Sequence, residues 1–337
     1  MTLAPFPWFG GKSRAAPIAW AAMGADVPGY IEPFAGSLAV LLGRPSLGHG
    51  PETVNDADGL LSNFWRAVRA DPDAVAAAAD WPVNEVDLSA RHLRLVSQRA
   101  ALTERLQVDA DFYDAKLAGW WGWGACAWIG SGWCSGEGPW STDGERWIDR
   151  RQLPHLGDEG MGINRQLPHL GDEGMGINRK LPHLGDEGRG AVVAWMRALA
   201  ARLRGVRVAC GDWERVTTYS VQRAGGFPCA ILLDPPYPEG EMAYSAGCDG
   251  VDVWHAARRW AIDNGNDRQL RIVFCGYEGG EAMPSGWRSV SWAQRKGYAS
   301  TDDALDNAAR ETLWLSPGCL AVGADTGRQL PMFGASP

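Results

Sequence analysis

The sequence predicts an α/β fold, in which a mainly parallel, doubly wound sheet is interrupted by a largely helical insertion. Short apolar runs typical of buried strands alternate with segments of helical spacing up to about residue 65, and again from 191 onward. The intervening stretch, 66–190, breaks this alternation. With 337 residues and 45% hydrophobic content, the chain is long and apolar enough to bury a large core.

The N-terminal part of the predicted sheet contains two strands, each followed by a helix. The segment 26–34 ends in an apolar run, a small-residue turn follows at 35–37, and LAVLLG then begins a helix. A second strand within 52–58 ends in acids. The helix after it has one apolar face, formed by Leu61, Phe64, Trp65 and Val68.

The C-terminal part resumes this pattern. CAILLD (229–234) is a near-continuous apolar run, which is typical of a strand buried on both faces. Further strands are predicted at 206–210, 270–277 and 311–316, with helices at 251–264 and on the face formed by Val192, Met196, Leu199 and Leu203. Strands that alternate with helices in this way indicate a parallel sheet.

The insertion combines a helix, an aromatic stretch and a repeat. Leucines mark one side of a helix predicted over 88–106, whereas the Trp- and Gly-rich stretch 119–134 fits no simple period. From 151 to 190 the 14-residue unit RQLPHLGDEGMGIN occurs twice, followed by an edited third copy. Its Pro and Gly content and its lack of an amphipathic period predict an expanded surface loop that is dispensable for function.

Composition restricts the class of protein. Seven scattered cysteines without a CxxC motif predict neither a disulfide framework nor a metal site, and they fit a reducing cytoplasm. The chain has no apolar run of about 18 residues, so no membrane partner is expected, and its N-terminus does not have the pattern of a signal peptide. The net charge of −8 gives no support to nucleic-acid binding, so any DNA contact must depend on a local patch.

Asp234-Pro235-Pro236-Tyr237 follows a buried strand directly, at the edge of the sheet where open α/β folds bind ligands. An aromatic amine is a poor nucleophile because its lone pair is delocalised into the ring. The Asp234 carboxylate and the Pro235 carbonyl can accept its two N–H bonds and free that lone pair. Pro235 and Pro236 stiffen the turn, and Tyr237 would stack on the base. The motif therefore predicts methyl transfer to an exocyclic amine, with positioning and electrostatics carrying the rate.

Two upstream motifs and one acid complete the candidate site. In PWFGGKSR (7–14), Gly10 and Gly11 allow close backbone approach, and Lys12 offers a cation for a ligand carboxylate. EPFAGS (32–37) lies in a strand-to-helix turn, where a nucleotide-type ligand would bind. Asp56 ends the next strand, at a distance where an acid often holds ribose hydroxyls.

Together these residues resemble the Dam-like family of DNA adenine-N6 methyltransferases, and the motifs occur in the order of that family. The resemblance implies a Rossmann-like methyltransferase core at 1–65 and 191–322, a target-recognition insertion at 66–190 and a flexible tail at 323–337. It also implies S-adenosylmethionine as cofactor, double-stranded DNA as substrate with the target adenine flipped from the duplex, and the cytoplasm of a bacterial or phage-infected cell.

The pattern of the family implies roles for individual residues. Asp234, Pro235, Pro236 and Tyr237 would form the catalytic turn, and the cofactor would contact Trp8, Gly10, Gly11, Lys12, Glu32, Phe34, Gly36, Asp56, Asp212 and Asp234. DNA phosphates or base edges would contact Arg91, Arg94, Arg99 and Arg105, although a solvated helix face explains any one arginine equally well. Core packing explains Trp120, Trp121, Trp123 and Trp128 better than base stacking does.

One position departs from the family pattern and leaves alternatives open. Leu38 stands where the family turn, FxGxG, usually has its second glycine, so a catalytically impaired DNA-binding or cofactor-binding protein is an alternative. Methylation of cytosine N4, of RNA or of a protein amide uses related turns. Cytosine-C5 chemistry is excluded because Cys229, the cysteine that follows a proline, begins its strand instead of ending it.

The tail contains a second motif. Gln329-Leu330-Pro331-Met332-Phe333 resembles the short peptide by which many bacterial proteins bind the replication sliding clamp. It predicts that clamp as a further partner.

Overall fold

The computed structural model describes residues 4–6, 8, 12–46, 50–128, 133–134, 140–142, 147–149, 188–237, 250–277, 282–292 and 311–322. Three features of the sequence lie outside the described residues. These are the Gly10–Gly11 pair, the repeat up to residue 187, and the tail with the clamp-like motif Gln329–Phe333.

The described strands form two sheets. In chain order they are β1 (Gly29–Glu32), β2 (Glu52–Asp56), β3 (Trp140–Thr142), β4 (Trp147–Asp149), β5 (Val206–Cys210), β6 (Cys229–Leu233), β7 (Leu270–Tyr277), β8 (Arg288–Ser291) and β9 (Glu311–Leu315). In the described part of the chain, seven of them form one sheet in the order β5-β2-β1-β6-β7-β9-β8, and β3 pairs with β4 separately. β9 runs antiparallel to both of its neighbours, and the other pairs of the large sheet are parallel.

The strand order has a switch point between β1 and β6. From β1 the chain moves outward to β2 and β5, and it then returns to the other side of β1 to form β6 and β7. This is the doubly wound order of a Rossmann-like sheet, and such sheets bind ligands at the carboxyl ends of the strands beside the switch point. The α/β class and the mainly parallel sheet are therefore confirmed. One antiparallel strand, β9, makes the sheet mixed.

Helices cover both faces of the sheet. They are α1 (Ala16–Met23), α2 (Ala39–Leu42), α3 (Gly59–Ala70), α4 (Pro72–Ala79), α5 (Glu85–Val108), α6 (Ala115–Ala127), α7 (Gly188–Leu203), α8 (Tyr219–Gln222) and α9 (Gly250–Asn264), with 3₁₀ turns at Trp213–Val216 and Arg223–Gly225. Among the residues that the structure describes, no helix is long and apolar enough to cross a membrane.

The amphipathic helices form where the sequence predicts them. The apolar faces predicted for α3 and α7 are buried, as are Leu88, Leu95, Leu102 and Leu106 of α5. Asp58 caps α3 by accepting the Leu60 N–H at 2.9 Å, and Asn84 caps α5 by accepting the Asp87 N–H at 2.8 Å. Each cap satisfies one of the amide groups that a helix leaves unpaired at its start.

The Trp- and Gly-rich stretch forms helix α6 over its first part, which the sequence pattern did not predict. A side chain at Gly119 would begin 2.6 Å from the Val75 carbonyl of α4, and one at Gly122 would begin 2.8 Å from the Phe64 ring of α3. The helix is therefore buried against two neighbours at once, and its glycines mark the close approaches. A helix packed in this way has no single apolar stripe for a periodicity analysis to detect.

The predicted insertion packs against the core helices. Its boundary at residue 66 falls within α3, α4 contacts both α3 and α7, and α6 contacts α3 and α4. Leu102 of α5 and Trp123 of α6 belong to the same buried cluster as Trp20 of α1. The described part of the insertion therefore shares one hydrophobic core with this face of the sheet.

Candidate active site

Side chains from four neighbouring strands meet at one edge of the sheet. Because successive side chains of a strand point to opposite faces, residues 32, 234, 275 and 311 point to the face that Tyr30, Leu232, Val273 and Leu313 cover. β9 is antiparallel, so its first residue, Glu311, pairs with Tyr277 at the carboxyl end of β7. Glu32, Asp234, Cys275 and Glu311 are thereby brought together beside the switch point.

Lys12 supplies the positive charge of this group. Its Nζ lies 3.1 Å from Asp234 Oδ1 and 3.7 Å from Glu311 Oε2, and its side chain is 5% exposed. The Tyr237 hydroxyl donates to the same Asp234 Oδ1 at 3.2 Å, and Lys12 Nζ lies 5.4 Å from the centre of the Tyr237 ring. Asp234 keeps 20% of its side chain exposed, so a ligand can reach it. The structure thus brings the DPPY turn and Lys12 of WFGGK into direct contact.

Burial and charge set the protonation of this group. Burial raises the pKa of Glu32 to about 8 and that of Glu311 to about 7, although Lys12 acts to lower the latter. Burial works to lower the pKa of Lys12, but the Asp234 carboxylate, with Cys275 and Glu311, outweighs it and raises the pKa above its usual value. At neutral pH, Lys12 is therefore charged and Glu32 is mostly protonated.

The EPFAGS turn is bound to the end of β2 through Asp56. Asp56 Oδ2 accepts the Gly36 N–H at 3.0 Å, and Oδ1 accepts the Asp58 N–H at 2.9 Å. Burial raises the pKa of Asp56 to about 6, and these hydrogen bonds limit the rise. Asp56 therefore fixes two turns of the site.

Asn55 is a site-building residue that the sequence analysis missed. Its Nδ2 donates to the Pro33 carbonyl at 3.1 Å and to the Gly211 carbonyl at 2.9 Å. One buried amide thus joins the loops that follow β1 and β5 across the end of β2. The sequence offered one signal for Asn55, an asparagine inside a strand whose other residues are mostly buried. A buried amide must find hydrogen-bond partners.

Aromatic rings border the same edge. Phe34, in the turn after β1, lies 5.7 Å from Trp213 between ring centres, with the planes inclined by 30°. Asp212 precedes Trp213, is exposed, and accepts the Glu214 N–H at 2.7 Å. Trp8 covers the turn, because a side chain at Gly36 would begin 2.7 Å from Trp8 Nε1. Predicted cofactor residues from the chain start and from the ends of β1, β2, β5 and β6 therefore border one edge of the sheet.

Leu38 adopts the backbone conformation that glycine would favour. Its φ is 56° and its ψ is 24°, in the left-handed region, and its side chain is fully buried. The turn therefore keeps its shape with leucine at this position. The strain is of the order of 1 kcal/mol, which burial of the leucine side chain offsets.

We expect Leu38→Gly to destabilise the protein despite the favourable backbone. Relief of about 1 kcal/mol of strain is smaller than the roughly 2–5 kcal/mol lost when a buried leucine is truncated. Leu38→Ala is the matched control, because it loses the side chain and keeps the strain, so it should be less stable than Leu38→Gly. Urea unfolding measures both, and a Leu38→Gly variant as stable as the wild type would contradict the expectation.

The four arginines of α5 have different surroundings. The Arg91 side chain is buried among Trp81, Trp120 and Trp123, with its guanidinium 4.3 Å from the centre of the Trp123 ring. This cage gives Arg91 a packing role in the described structure, and its DNA contact stays a prediction. Arg99 lies 4.0 Å from Asp58 and donates to the Cys134 carbonyl.

The remaining two arginines are exposed on α5. Arg94 is open to solvent, and Arg105 lies with its guanidinium 3.9 Å from the centre of the Phe112 ring. The tryptophans follow the packing interpretation: Trp121 and Trp123 are buried, Trp120 contacts Arg91, and Trp128 stacks on His92 at 5.0 Å. Arg94 and Arg105 are thus the two exposed arginines of the four.

Comparison with models of known protein families and with curated protein sequences finds no match to this chain. Among the described residues, no group of three or more histidine, cysteine, aspartate or glutamate side chains is arranged to hold a metal ion.

Proposed function

We propose that this protein is a DNA methyltransferase of the Dam-like type, which transfers a methyl group from S-adenosylmethionine to the N6 amine of adenine. The observation that carries the proposal is the position of Asp234. It follows β6 beside the switch point, it is partly exposed, and it contacts Lys12 and Tyr237. An amine that is to receive a methyl group needs a hydrogen-bond acceptor for its N–H groups. Asp234 provides one at the carboxyl end of the strands, where doubly wound sheets bind ligands.

The edge of the sheet fits the proposed cofactor in charge and in side-chain chemistry. Lys12 is a buried cation suited to a carboxylate, and Asp56 and Asp212 are acids suited to ribose or adenine donors. Phe34 and Trp213 offer aromatic surface for a purine ring. When bound, S-adenosylmethionine supplies an electrophilic methyl group on a sulfonium.

The residues of the DPPY turn would prepare the amine for attack. Asp234 and the Pro235 carbonyl each accept one N–H of the amine, so the nitrogen lone pair turns toward the methyl group. The carbon–nitrogen bond would form as the carbon–sulfur bond breaks, the sulfur would keep the bonding electron pair, and the nitrogen would afterwards release one proton to water. The negative charge of Asp234 stabilises the positive charge that develops on the nitrogen. Tyr237, held by its hydrogen bond to Asp234, would stack on the base.

Double-stranded DNA is the proposed substrate, and α5 is the proposed contact surface. Arg94 and Arg105 are the exposed arginines there. Two cations are a narrow footprint for a chain of net charge −8, so we expect weak binding whose salt dependence is as shallow as about two phosphate contacts allow. Methylation of cytosine N4 would use the same acceptor geometry and is the second candidate. The alternative of a catalytically impaired homologue rests on Leu38, and it has less support because Leu38 preserves the turn.

The test is identification of the methylated nucleoside. The full chain is incubated with methyl-labelled S-adenosylmethionine and duplex DNA that lacks modified bases, the DNA is digested, and its nucleosides are separated by chromatography. We expect the label in N6-methyladenine, and RNA of the same sequence should remain unlabelled. Label in N4-methylcytosine would transfer the assignment to the second candidate. A chain that binds the cofactor and labels neither base would refute methyl transfer to DNA.

A further inference from the structure

Lys12 lies between two carboxylates and is closer to one of them. Its Nζ is 3.1 Å from Asp234 Oδ1, within hydrogen-bond distance, and 3.7 Å from Glu311 Oε2, just beyond it. Glu311 Oε2 is buried, and it has no hydrogen-bond partner among the described residues. A small shift of the ammonium group would exchange one partner for the other.

One oxygen of the Asp234 carboxylate already accepts hydrogen bonds in this arrangement. Its Oδ1 already accepts from both Lys12 and the Tyr237 hydroxyl, which fills the two lone pairs of that oxygen. An amine that binds to Oδ1 needs one of these two acceptor positions, and transfer of Lys12 to Glu311 would supply it. Lys12 is 4% exposed, so its charge needs a carboxylate partner throughout this exchange.

We propose that Glu311 is a positioning residue for the proposed methyl transfer, which takes over Lys12 when Asp234 binds the amine of the target base. This inference rests on the proposed function. It adds a residue from β9 to a site that otherwise comes from the chain start and the ends of β1, β2, β5 and β6. Glu311 touches neither the amine nor the methyl group, and it acts by holding Lys12 away from the acceptor.

The charge of Glu311 depends on the groups that face it. These are Lys12 from the N-terminal segment, Asp234 from the turn after β6 and Cys275 from β7, with Tyr237 and Glu32 of β1 beyond Asp234. Burial raises the pKa of Glu311 to about 7, and Asp234 adds to the rise, while Lys12 opposes it. Below about pH 7 Glu311 is therefore mostly neutral and attracts Lys12 less. Lys12 then stays on Asp234, and methyl transfer should slow.

The first arm of the test is a pH profile of kcat/KM for DNA methylation. The wild-type profile should fall on its acid side through a pKa near 7, that of Glu311. Methylation by Glu311→Gln should be about tenfold or more slower at pH 8, since misplacement of one group near the chemistry can cost up to about 10²-fold. The profile of this variant should also lack the fall in kcat/KM on the acid side, the acid limb. Glu311→Asp, which restores a carboxylate, should regain the limb and part of the rate.

The matched control removes a carboxylate from an ion pair elsewhere. Asp73 is exposed on α4 and binds Arg197 through two contacts of 2.7 Å. Asp73→Asn should leave both the rate and the pH profile at wild-type values. An acid limb that persists unchanged in Glu311→Gln, with the rate within a factor of two of the wild type, would overturn the inference.

A second arm does not depend on activity. The ¹³C chemical shift of the Asp234 carboxyl, assigned by its loss in Asp234→Asn, is followed between pH 5 and 9 in the wild type and in Glu311→Gln. The wild-type signal should show a step that reports the charge of Glu311 through Lys12, and the variant should lack that step. If the protein methylates no base but the step depends on Glu311, the proposed function fails and the Lys12 coupling stands. If the step is absent from the wild type, the coupling itself is refuted.

Discussion

Replacement of Asp234 by alanine is expected to reduce methylation of adenine by at least 10²- to 10³-fold, the usual effect of removing one preorganised electrostatic group. The carboxylate performs two tasks in the proposed reaction: it accepts one N–H of the amine, and its charge stabilises the positive nitrogen. Asp234→Asn separates these tasks, because its carbonyl can still accept the N–H but carries no charge. We expect its rate to lie between those of the wild type and of Asp234→Ala.

The measurement is single-turnover transfer of labelled methyl to duplex DNA, with cofactor affinity determined by calorimetry on the same variants. The affinity for the cofactor should change much less than the rate, because Lys12, Asp56 and the turn at Gly36 remain. Lys12 also keeps Glu311 at 3.7 Å, so the fold should survive. Asp263→Asn, an exposed carboxylate change on α9, is the control for activity. An Asp234→Ala enzyme that retains a rate within threefold of the wild type would remove the basis of the proposed mechanism.

The strands of the sheet were predictable because burial on both faces leaves a direct record in the sequence. CAILL of β6 and LRIVFCGY of β7 are near-continuous apolar runs, and both strands lie inside the sheet. β8 was missed, since RSVS is a short edge strand whose residues are alternately half-buried and exposed. Helix α1 was missed for a different reason: nearly all of its residues are buried, so it has no polar stripe to define a helical period.

The candidate site was predictable only where its residues follow their strands directly. Asp234 and Asp56 could be placed at the sheet edge from the sequence, since Asp234 follows an apolar run and Asp56 ends a predicted strand. Glu311 could not, because its position depends on β9 entering the sheet antiparallel, a long-range feature with no local signal. The cage around Arg91 is similar: Trp81 comes from a loop and Trp123 from α6, so helical spacing on α5 could not show that this arginine is enclosed.

Glu32 offers the second large effect, on stability instead of rate. It is 3% exposed at the end of β1, where the Tyr30 hydroxyl donates to its Oε2 at 3.0 Å. Burial raises its pKa from 4.5 to about 8, and the negative charge of Asp234 contributes to the rise. Below pH 4.5 the carboxyl is protonated in both the folded and the unfolded protein, so burial has no electrostatic cost there.

That cost appears as the pH rises. Between pH 4.5 and about 8 the unfolded chain releases the Glu32 proton while the folded protein retains it, so stability is lost progressively through this window. Each unit of pKa difference corresponds to about 1.36 kcal/mol, so the total is of the order of 2–5 kcal/mol. Asp56 and Glu311 also have raised pKa values and contribute in the same direction, which means that only a comparison of variants isolates the effect of Glu32.

Glu32→Gln should therefore have nearly wild-type stability at pH 5 and be more stable than the wild type by about 2–5 kcal/mol at pH 9. Glutamine resembles the protonated acid: its carbonyl can accept the Leu41 N–H that Glu32 accepts now, and its amide can donate to the Tyr30 oxygen. Urea unfolding at both pH values measures the difference, and Tyr30→Phe is the control for the lost hydrogen bond alone, because it leaves the ionisable carboxyl in place. A constant difference between Glu32→Gln and the wild type across this range would show that Glu32 ionises as readily in the folded protein as in the unfolded chain. In that case the acidic side chains beside Asp234 would not retain their protons in the folded protein, contrary to what their burial indicates.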